Sequence, residues 1–396
     1  MHMKKIKIAY LLPSLSISGG VGVVLQHANR LQNRGYELFI SVLGGRSSAD
    51  WFPGQSVPVV APAELPDDLD ILVATHWSTS YEVINLKAKH KCYFVQSDET
   101  RFHEAGTDLF YMTHLSYLMN FHYLTEAKWI QKWLLENFDK NAELVPNGLD
   151  GDIFHPTNPI AERSKPRVLL EGPINAPLKG MKEAFEVVKD LDVEVWCISA
   201  DGRPQPDWKC DRFFEKVPMT KMKEIYSSCD ILLKLSRMEG FFGPPLEMMA
   251  CGGVCVVGKV TGYDEYIIDE ENALVVNSTD IEGARQALLR LISNEDLRES
   301  LRTNGLKTAA SWDWESSVDI LEKYYGEIAD GKHGVFTPER EVTNDAILKL
   351  KSLSINAAIF PHEIILRKIS SNKFFMKAAE KIFRNYTRWK SLVCAR

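Results

Sequence analysis

The sequence predicts an α/β protein made of two successive parallel-sheet domains followed by a helical tail. Three observations carry this. Short β-branched runs alternate with amphipathic helical stretches, the pattern of a parallel sheet covered by helices. The alternation restarts near Pro166 and stops after about Gly331. At 396 residues the chain is also long for one domain.

Hydrophobic residues make up 45% of the chain and charged residues 25%, enough apolar side chain for substantial cores. The formal net charge of -6 argues against a nucleic-acid binder, which needs a basic excess. No apolar run reaches the ~20 residues of a membrane-spanning helix. The opening MHMKKIKIAYLLP sets lysines before a short apolar run, as a signal peptide does. No A-x-A-like cleavage site follows, so the segment reads as a buried first strand. Seven cysteines (Cys92, Cys197, Cys210, Cys229, Cys251, Cys255 and Cys394) form no C-x-x-C pair. Reduced structural thiols in a cytoplasm fit this usage, with neither a zinc site nor disulfides.

In the first half, residues 5–12 read as a strand, 20–34 as a helix and 38–43 as the next strand. Residues 70–75 and 91–95 follow as strands ending in polar loops. Residues 140–145 read as the last strand, closing at Pro146-Asn147-Gly148. Residues 156–166, with prolines and charges, form a linker. The second series has strands at 167–170, 194–199, 231–235 and 254–257, with helices at 182–191, 221–229 and 245–250. The expected units are therefore 1–155, 156–310, a helix over 311–330 and a basic helical tail over 331–396.

The segment Glu239-Gly-Phe-Phe-Gly-Pro-Pro-Leu-Glu247 holds the most information. It follows the buried run ILLKL, so Glu239 stands at the carboxyl end of a parallel strand, where open α/β sheets place ligands. The Gly-Phe-Phe-Gly-Pro run turns into a helix whose first free N–H groups face that edge, and proline in the first turn gives up no needed donor. Such a helix start carries about half a positive charge and suits a phosphate. Glu247, roughly one turn in, is placed to accept hydrogen bonds from vicinal hydroxyls. By spacing alone two readings stand equally: this ligand site, or a helix cap at Glu239 with an ordinary salt bridge at Glu247.

The segment resembles the E-x7-E signature of family 4 retaining glycosyltransferases of GT-B fold. The resemblance implies two Rossmann-like domains whose parallel sheets face each other across a cleft, with residues 311–330 crossing back onto the first. It puts Glu239 on the transferred sugar, Glu247 on the donor ribose, and Phe241, Phe242 and Gly243 beside the donor. The usual form is E-G-F-G-x-P; here Phe242 stands where glycine is usual and Gly243 follows. The resemblance covers roughly residues 4–330. Ser18-Gly19-Gly20-Val21-Gly22 looks like the family's first glycine loop, where bare backbone comes close to the diphosphate. Many βα turns hold two glycines, but this one is no G-x-G-x-x-G fingerprint, which disfavours a nicotinamide cofactor. Val145-Pro-Asn147-Gly148-Leu-Asp150, with Phe154 and Pro156 after it, is similar to the family's interdomain segment. A simple Asn-Gly turn serves equally as its physical role. Thr261-Gly262-Tyr-Asp-Glu265, leading to Asn272, resembles the glycine-containing stretch near the donor sugar.

Loss of a nucleoside diphosphate develops negative charge that, without a metal, cationic side chains and helix starts must stabilise. Gly172-Pro-Ile-Asn-Ala-Pro-Leu-Lys179-Gly180 resembles the family's G-R-x5-K-G segment, so Lys179 takes the role of the diphosphate lysine. The family arginine falls at Pro173; Lys182 and Arg203 are the candidate replacements. The resemblance sets the donor base against Val217 and Met219. In the first domain Gln96 occupies a strand end where many relatives carry histidine. Glutamine carries no proton at neutral pH, so it gets no acid or base role. Asp98 is an acceptor-side candidate with Asn147, and His76 either lines the cleft or is a satisfied structural histidine.

Paired carboxylates do not imply a hydrolase here, because a retaining hydrolase needs them about 5–5.5 Å apart across one bond. The resemblance implies a retaining, metal-independent transferase. It would move a sugar from a nucleotide-diphosphate sugar to a saccharide or lipid-linked acceptor in surface polysaccharide or O-antigen assembly. No cofactor is expected. The alternatives are a nucleotide-sugar epimerase of the same fold, or a catalytically weak or inactive nucleotide-sugar-binding protein, the latter motivated by Pro173 and Gln96. Over 361–396, basic residues from Arg367 to Arg396 outnumber Glu363 and Glu380, while Phe375, Ala379, Ile382, Tyr386, Trp389 and Val393 recur every three or four positions. Such a helix lies on an anionic membrane surface, at about 1 kcal/mol per basic residue, or packs on the protein itself. The first reading makes the protein cytoplasmic and peripheral on the inner face of the membrane.

Overall fold

The computed structural model describes residues 6–44, 48–162 and 164–336. The basic segment expected at 361–396 lies outside the described residues.

The first sheet holds β1 (Lys7–Leu12), β2 (Glu37–Val42), β3 (Val59–Val60), β4 (Ile71–Ala74), β5 (His90–Val95), β6 (His122–Thr125) and β7 (Ala142–Leu144). Their order is β3-β2-β1-β4-β5-β6-β7, and every neighbouring pair is parallel. Helices α1 (Gly19–Asn33), α2 (Trp77–Val83), α3 (Asp108–Ser116) and α4 (Lys128–Phe138) belong to this half. The central strands β1 and β4 are almost wholly buried, as strands covered on both faces must be. Ser18 caps α1, its hydroxyl accepting from the Val21 N–H.

The second sheet holds β8 (Arg167–Glu171), β9 (Glu194–Ser199), β10 (Arg212–Glu215), β11 (Ile231–Lys234), β12 (Val254–Gly258) and β13 (Leu274–Val276). Its order, β10-β9-β8-β11-β12-β13, is again all parallel. Its helices are α5 (Met181–Val188), α6 (Met219–Tyr226), α7 (Gly243–Ala250), α8 (Ile281–Ser293) and α9 (Glu295–Ala310). In each sheet the order reverses once, between β1 and β4 and between β8 and β11. The two ligand crevices of the fold therefore open at the carboxyl ends of those strands.

The last described helix, α10 (Trp314–Ala329), packs back on the first domain. Its Trp314, Val318, Leu321, Tyr325 and Ile328 join one core cluster with β1 and α1. The Tyr325 and Tyr10 hydroxyls lie 3.1 Å apart in that core, and Arg34 after α1 is held by Glu315, Asp319 and Glu322. Each fully buried aliphatic side chain here contributes roughly 1.5–3 kcal/mol.

Strands β3, β6, β10 and β13, two to four residues long, are absent from the sequence expectation. Helix α6 starts at Met219 rather than 221, since Pro218 at its N-cap needs no N–H. Helix α7 likewise starts at Gly243, before both prolines.

Candidate active site

The second domain presents four charged side chains at the crevice between β8 and β11. Lys179 Nζ lies 2.7 Å from Glu239 Oε2. Lys234, the last residue of β11, lies 2.6 Å from Glu171 Oε2 at the end of β8 and 3.8 Å from Glu239 Oε1. Burial alone would raise the Glu239 pKa, but Lys234 and Lys179 outweigh it and hold the carboxyl below its ordinary range. Burial would also lower Lys234, yet Glu171 and Glu239 reverse that and keep it charged. Signs alternate along Glu171, Lys234, Glu239 and Lys179. The loop carrying Lys179 is fixed by Gly180, whose φ is 65° and whose added Cβ would collide with the Leu235 carbonyl. Neither expected replacement for the family arginine reaches this crevice as a free cation. Arg203 is exposed and paired with Glu215, and Lys182 is exposed on α5.

At the start of α7 the structure corrects an expectation. Few N–H groups are free there: Gly243 donates to the Phe241 carbonyl at 3.0 Å, Pro244 and Pro245 have none, and Phe241, just before the N-cap, donates to Glu126 at 3.0 Å. The positive charge at this edge comes mainly from Lys179 and from the helix dipole. Phe242 also differs from expectation, since its side chain is 1% exposed and turns into the core of the second domain. Its φ of -86° requires no glycine, so the departure from the usual motif leaves the backbone unstrained. Only Phe242 backbone atoms are left to face a ligand, and its carbonyl accepts from the Tyr266 hydroxyl. Glu247 reaches back along α7, its Oε1 lying 3.8 Å from the position a Cβ on Gly243 would take. Its Oε2 accepts from the Tyr226 hydroxyl at 2.8 Å, and burial pushes its pKa up to about 7.

Across the crevice stands the first domain's glycine loop. Gly19 has open space where a Cβ would be, whereas a Cβ on Gly20 would stand 2.8 Å from Gln96 Oε1. Gln96 donates to the Thr75 carbonyl at 3.3 Å, and its buried Oε1 has no hydrogen-bond partner. Met219 packs against the cores of both domains, its methyl 3.8 Å from the Cβ position of Gly22; Val217 beside it is half-buried.

The acceptor-side candidates separate. His76 caps α2 and lies 3.5 Å from Glu99. Burial pushes His76 down to about 4 and Glu99 up to about 8. Asp98 caps a short 3-10 turn through the Thr100 N–H. Asn147 is not at the open cleft: it is buried and donates to Glu126 Oε2 at 3.0 Å, tying the interdomain segment to the end of β6.

That Glu126 is one of several contacts joining the two domains over the site. A Cβ on Gly240 would collide with the Gln96 carbonyl, and Trp129 Nε1 donates to the Gly240 carbonyl at 2.7 Å. The Trp129 N–H donates to Glu265 Oε1 at 3.1 Å, and its ring fills the space a Cβ on Gly262 would need. Arg101 donates to the Arg237 carbonyl at 3.2 Å. The contact residues Glu126, Trp129 and Arg101 and the crevice residues Glu171, Lys234 and Tyr226 fall outside the motifs that the sequence displays. One signal was available for Lys234, a lysine that ends an otherwise apolar strand.

Two doubly wound sheets facing each other over these residues define a GT-B fold. Residues 211–308 match the family model described as glycosyl transferases group 1. The matched stretch lies within the second domain, from β10 to α9. The chain is similar to an uncharacterised glycosyltransferase of Methanocaldococcus jannaschii, 28% identical over 215 residues, which are 52% of this chain and 59% of that protein. It is also similar to the O-antigen biosynthesis protein RfbC of Myxococcus xanthus, 26% identical over 72% of this chain but only 23% of RfbC. The chain thus matches less than two thirds of the length of either relative. Among solved structures, the sucrose-phosphate synthase of Thermosynechococcus elongatus superposes with a TM-score of 0.70 at 14% identity, over 82% of this chain and 99% of that one. The HepE protein of Anabaena, solved with UDP and glucose, gives 0.67 at 13% identity over 81% and 100%.

Proposed function

We propose that this protein is a retaining, metal-independent glycosyltransferase. It takes a sugar from a nucleotide-diphosphate donor and passes it to a saccharide or lipid-linked acceptor in surface polysaccharide assembly. The observation that carries the reading is the Lys179–Glu239 pair at 2.7 Å, set at the crevice between β8 and β11 with Glu247 on the adjoining α7. In this reading Lys179 meets the charge that develops on the leaving diphosphate, Glu239 holds the transferred sugar, and Glu247 accepts from the ribose hydroxyls. The backbone of Phe241 to Gly243, the glycine loop at Gly19 and Gly20, Val217 with Met219, and Gly262 line the donor. Gln96 and His76 face the acceptor. The donor phosphate itself assists removal of the acceptor proton, and the anomeric configuration is kept. The O-antigen function of the Myxococcus xanthus relative supports the choice of pathway, and UDP with glucose on the Anabaena fold neighbour supports the donor class.

The protein works in the cytoplasm, and its basic segment at 361–396 holds it against the inner face of the membrane. Among the described residues no helix is long and apolar enough to cross a membrane. Co-sedimentation with anionic vesicles should drop when the chain is cut after Phe336, which packs on His122 and should stay. Equal binding by both chains removes the membrane role.

The test of activity is release of nucleoside diphosphate from UDP-glucose, GDP-mannose and dTDP-rhamnose, each with and without a lipid-linked saccharide acceptor. Release with any donor, and a product of unchanged anomeric configuration by NMR, is the expected outcome. Binding without release in any mixture would favour the inactive binding protein, a reading that Pro173 and Gln96 motivate.

A further inference from the structure

The crevice between β8 and β11 contains two buried polar groups with unmet hydrogen-bonding capacity that face each other. Glu239 uses Oε2 for Lys179; its Oε1 is buried without a hydrogen bond of good geometry, and the buried Ser236 hydroxyl, likewise unpartnered, acts on the same carboxylate. Lys234, with a side chain only 3% exposed, donates to the Glu171 carbonyl at 3.0 Å and to Glu171 Oε2 at 2.6 Å. An ammonium has three N–H groups, so these bonds occupy two. Lys234 Nζ and Glu239 Oε1 stand 3.8 Å apart, too far to bond each other directly. Gly172 lies beside them, and a Cβ there would stand 3.7 Å from Lys234 Nζ, 3.4 Å from Lys179 Cβ and 3.3 Å from Met181 Sδ, so a side chain at this position would crowd the pair.

The chemistry of the gap selects its occupant. One side supplies only a donor and the other only an acceptor. An ionised phosphate oxygen suits the ammonium but is repelled by the carboxylate. A hydroxyl suits both, donating to Glu239 Oε1 while accepting from Lys234. An apolar group would leave both buried charges with unused capacity, the most costly outcome.

We infer that Lys234 and Glu239 together seat one hydroxyl of the transferred sugar, which makes Lys234 a determinant of sugar specificity. Glu171 is the positioning residue that holds the ammonium in place. This rests on the donor reading above and adds to it the side chain that distinguishes a sugar hydroxylated at the gripped position from one deoxygenated there.

The test compares each nucleotide sugar with its own nucleoside diphosphate by isothermal titration, using UDP and UDP-glucose, GDP and GDP-mannose, and dTDP and dTDP-rhamnose. The variants are Lys234→Met and the double variant Glu171→Gln/Lys234→Met, in which no unpaired carboxylate is left buried; melting temperatures establish that both are folded. For the donor that binds, both variants should weaken the nucleotide sugar by about tenfold, the value of one charge-assisted hydrogen bond. The bare diphosphate should bind as it does to the unaltered protein. An equal loss for sugar and diphosphate would mean that Lys234 serves the phosphates or the fold, and would overturn the inference. Unchanged sugar affinity in the folded double variant would overturn it too, while leaving the donor reading intact. Unaltered protein that binds none of the six compounds removes the donor reading itself.

Discussion

Glu126 and Phe241 join the two domains through one hydrogen bond: the carboxylate at the end of β6 accepts the Phe241 N–H at 3.0 Å. Phe241 is two residues from Glu239, so the first domain reaches directly into the loop that carries the candidate sugar-binding acid. Burial is the largest influence on Glu126 and pushes its pKa up to about 8, against bonds from Asn147 and Phe241 that act to lower it.

A carboxyl with a pKa raised in the folded state binds its proton more tightly there than in the unfolded chain. Its stabilising contribution is complete below the unfolded value near 4.5 and is lost as pH rises toward about 8. The melting temperature of the unaltered protein should therefore fall between those limits by more than that of Glu126→Gln. Glutamine can still accept from Phe241, and Asn147, whose Oδ1 is buried without a partner, can turn its amide to accept from the new N–H. Glu126→Ala leaves both donors unmet and should cost about 1–3 kcal/mol at acidic pH, a cost that shrinks as pH rises and the unaltered protein loses its own contribution. Parallel pH profiles for the unaltered protein and Glu126→Gln would refute this account.

Two glycines near the cleft should respond in opposite ways. Gly240→Ala places a methyl against the Gln96 carbonyl and Glu126, neither of which has slack, so the domains must part. Small-angle scattering should show a larger radius of gyration with both domains still folded, and transfer should be lost. Gly19→Ala meets nothing within 4 Å and sits in the first turn of α1. It should keep the scattering profile and gain up to about 1 kcal/mol of stability from helix propensity. An unchanged radius for Gly240→Ala would mean that the interface is looser than the contacts imply.

Much of the fold was legible because its signals are local. The central strands β1, β4, β8 and β11 are apolar runs, and Glu239 and Glu247 fall where a strand end and a helix start place them. Glu126 was not legible for the opposite reason. In Thr125-Glu126-Ala127 it reads as an exposed acid before a helix, and its burial exists only once residues 240 and 241 close over it. Glu171 and Lys234 were visible as charges ending apolar strands. Their pairing depends on β8 and β11 being neighbours, which is a fact of topology and not of spacing.

Replacing Glu239 should separate chemistry from binding. Glu239→Ala frees Lys179, which is partly exposed and can hydrate, while Lys234 keeps its bonds to Glu171. The stability cost should be about 1–3 kcal/mol, below the 3–5 kcal/mol of an isolated buried pair. Turnover should fall by at least about a hundredfold, the scale of losing a group that acts mainly in the transition state. Affinity for the bare nucleoside diphosphate should change little. Full turnover at saturating donor would remove Glu239 from the catalytic assignment.

On the proposed donor reading, Glu247 gives binding a dependence on pH. Burial has raised its pKa to about 7, with the Tyr226 hydroxyl acting in the opposite direction and Glu171 reinforcing the rise. An ionised carboxylate is the stronger acceptor for ribose hydroxyls, so donor binding favours the deprotonated form. Affinity for a nucleoside diphosphate should then weaken as pH falls through about 7, on top of any change from protonation of the ligand itself. Glu247→Gln removes the protein's share, so the difference between its profile and that of the unaltered protein isolates the carboxyl. Tyr226→Phe takes away a bond that favours ionisation and should move the break to higher pH. Titrations from pH 6 to 8.5 decide the matter: identical profiles for Glu247→Gln and the unaltered protein would assign the whole break to the ligand and leave Glu247 without a role in binding the ribose.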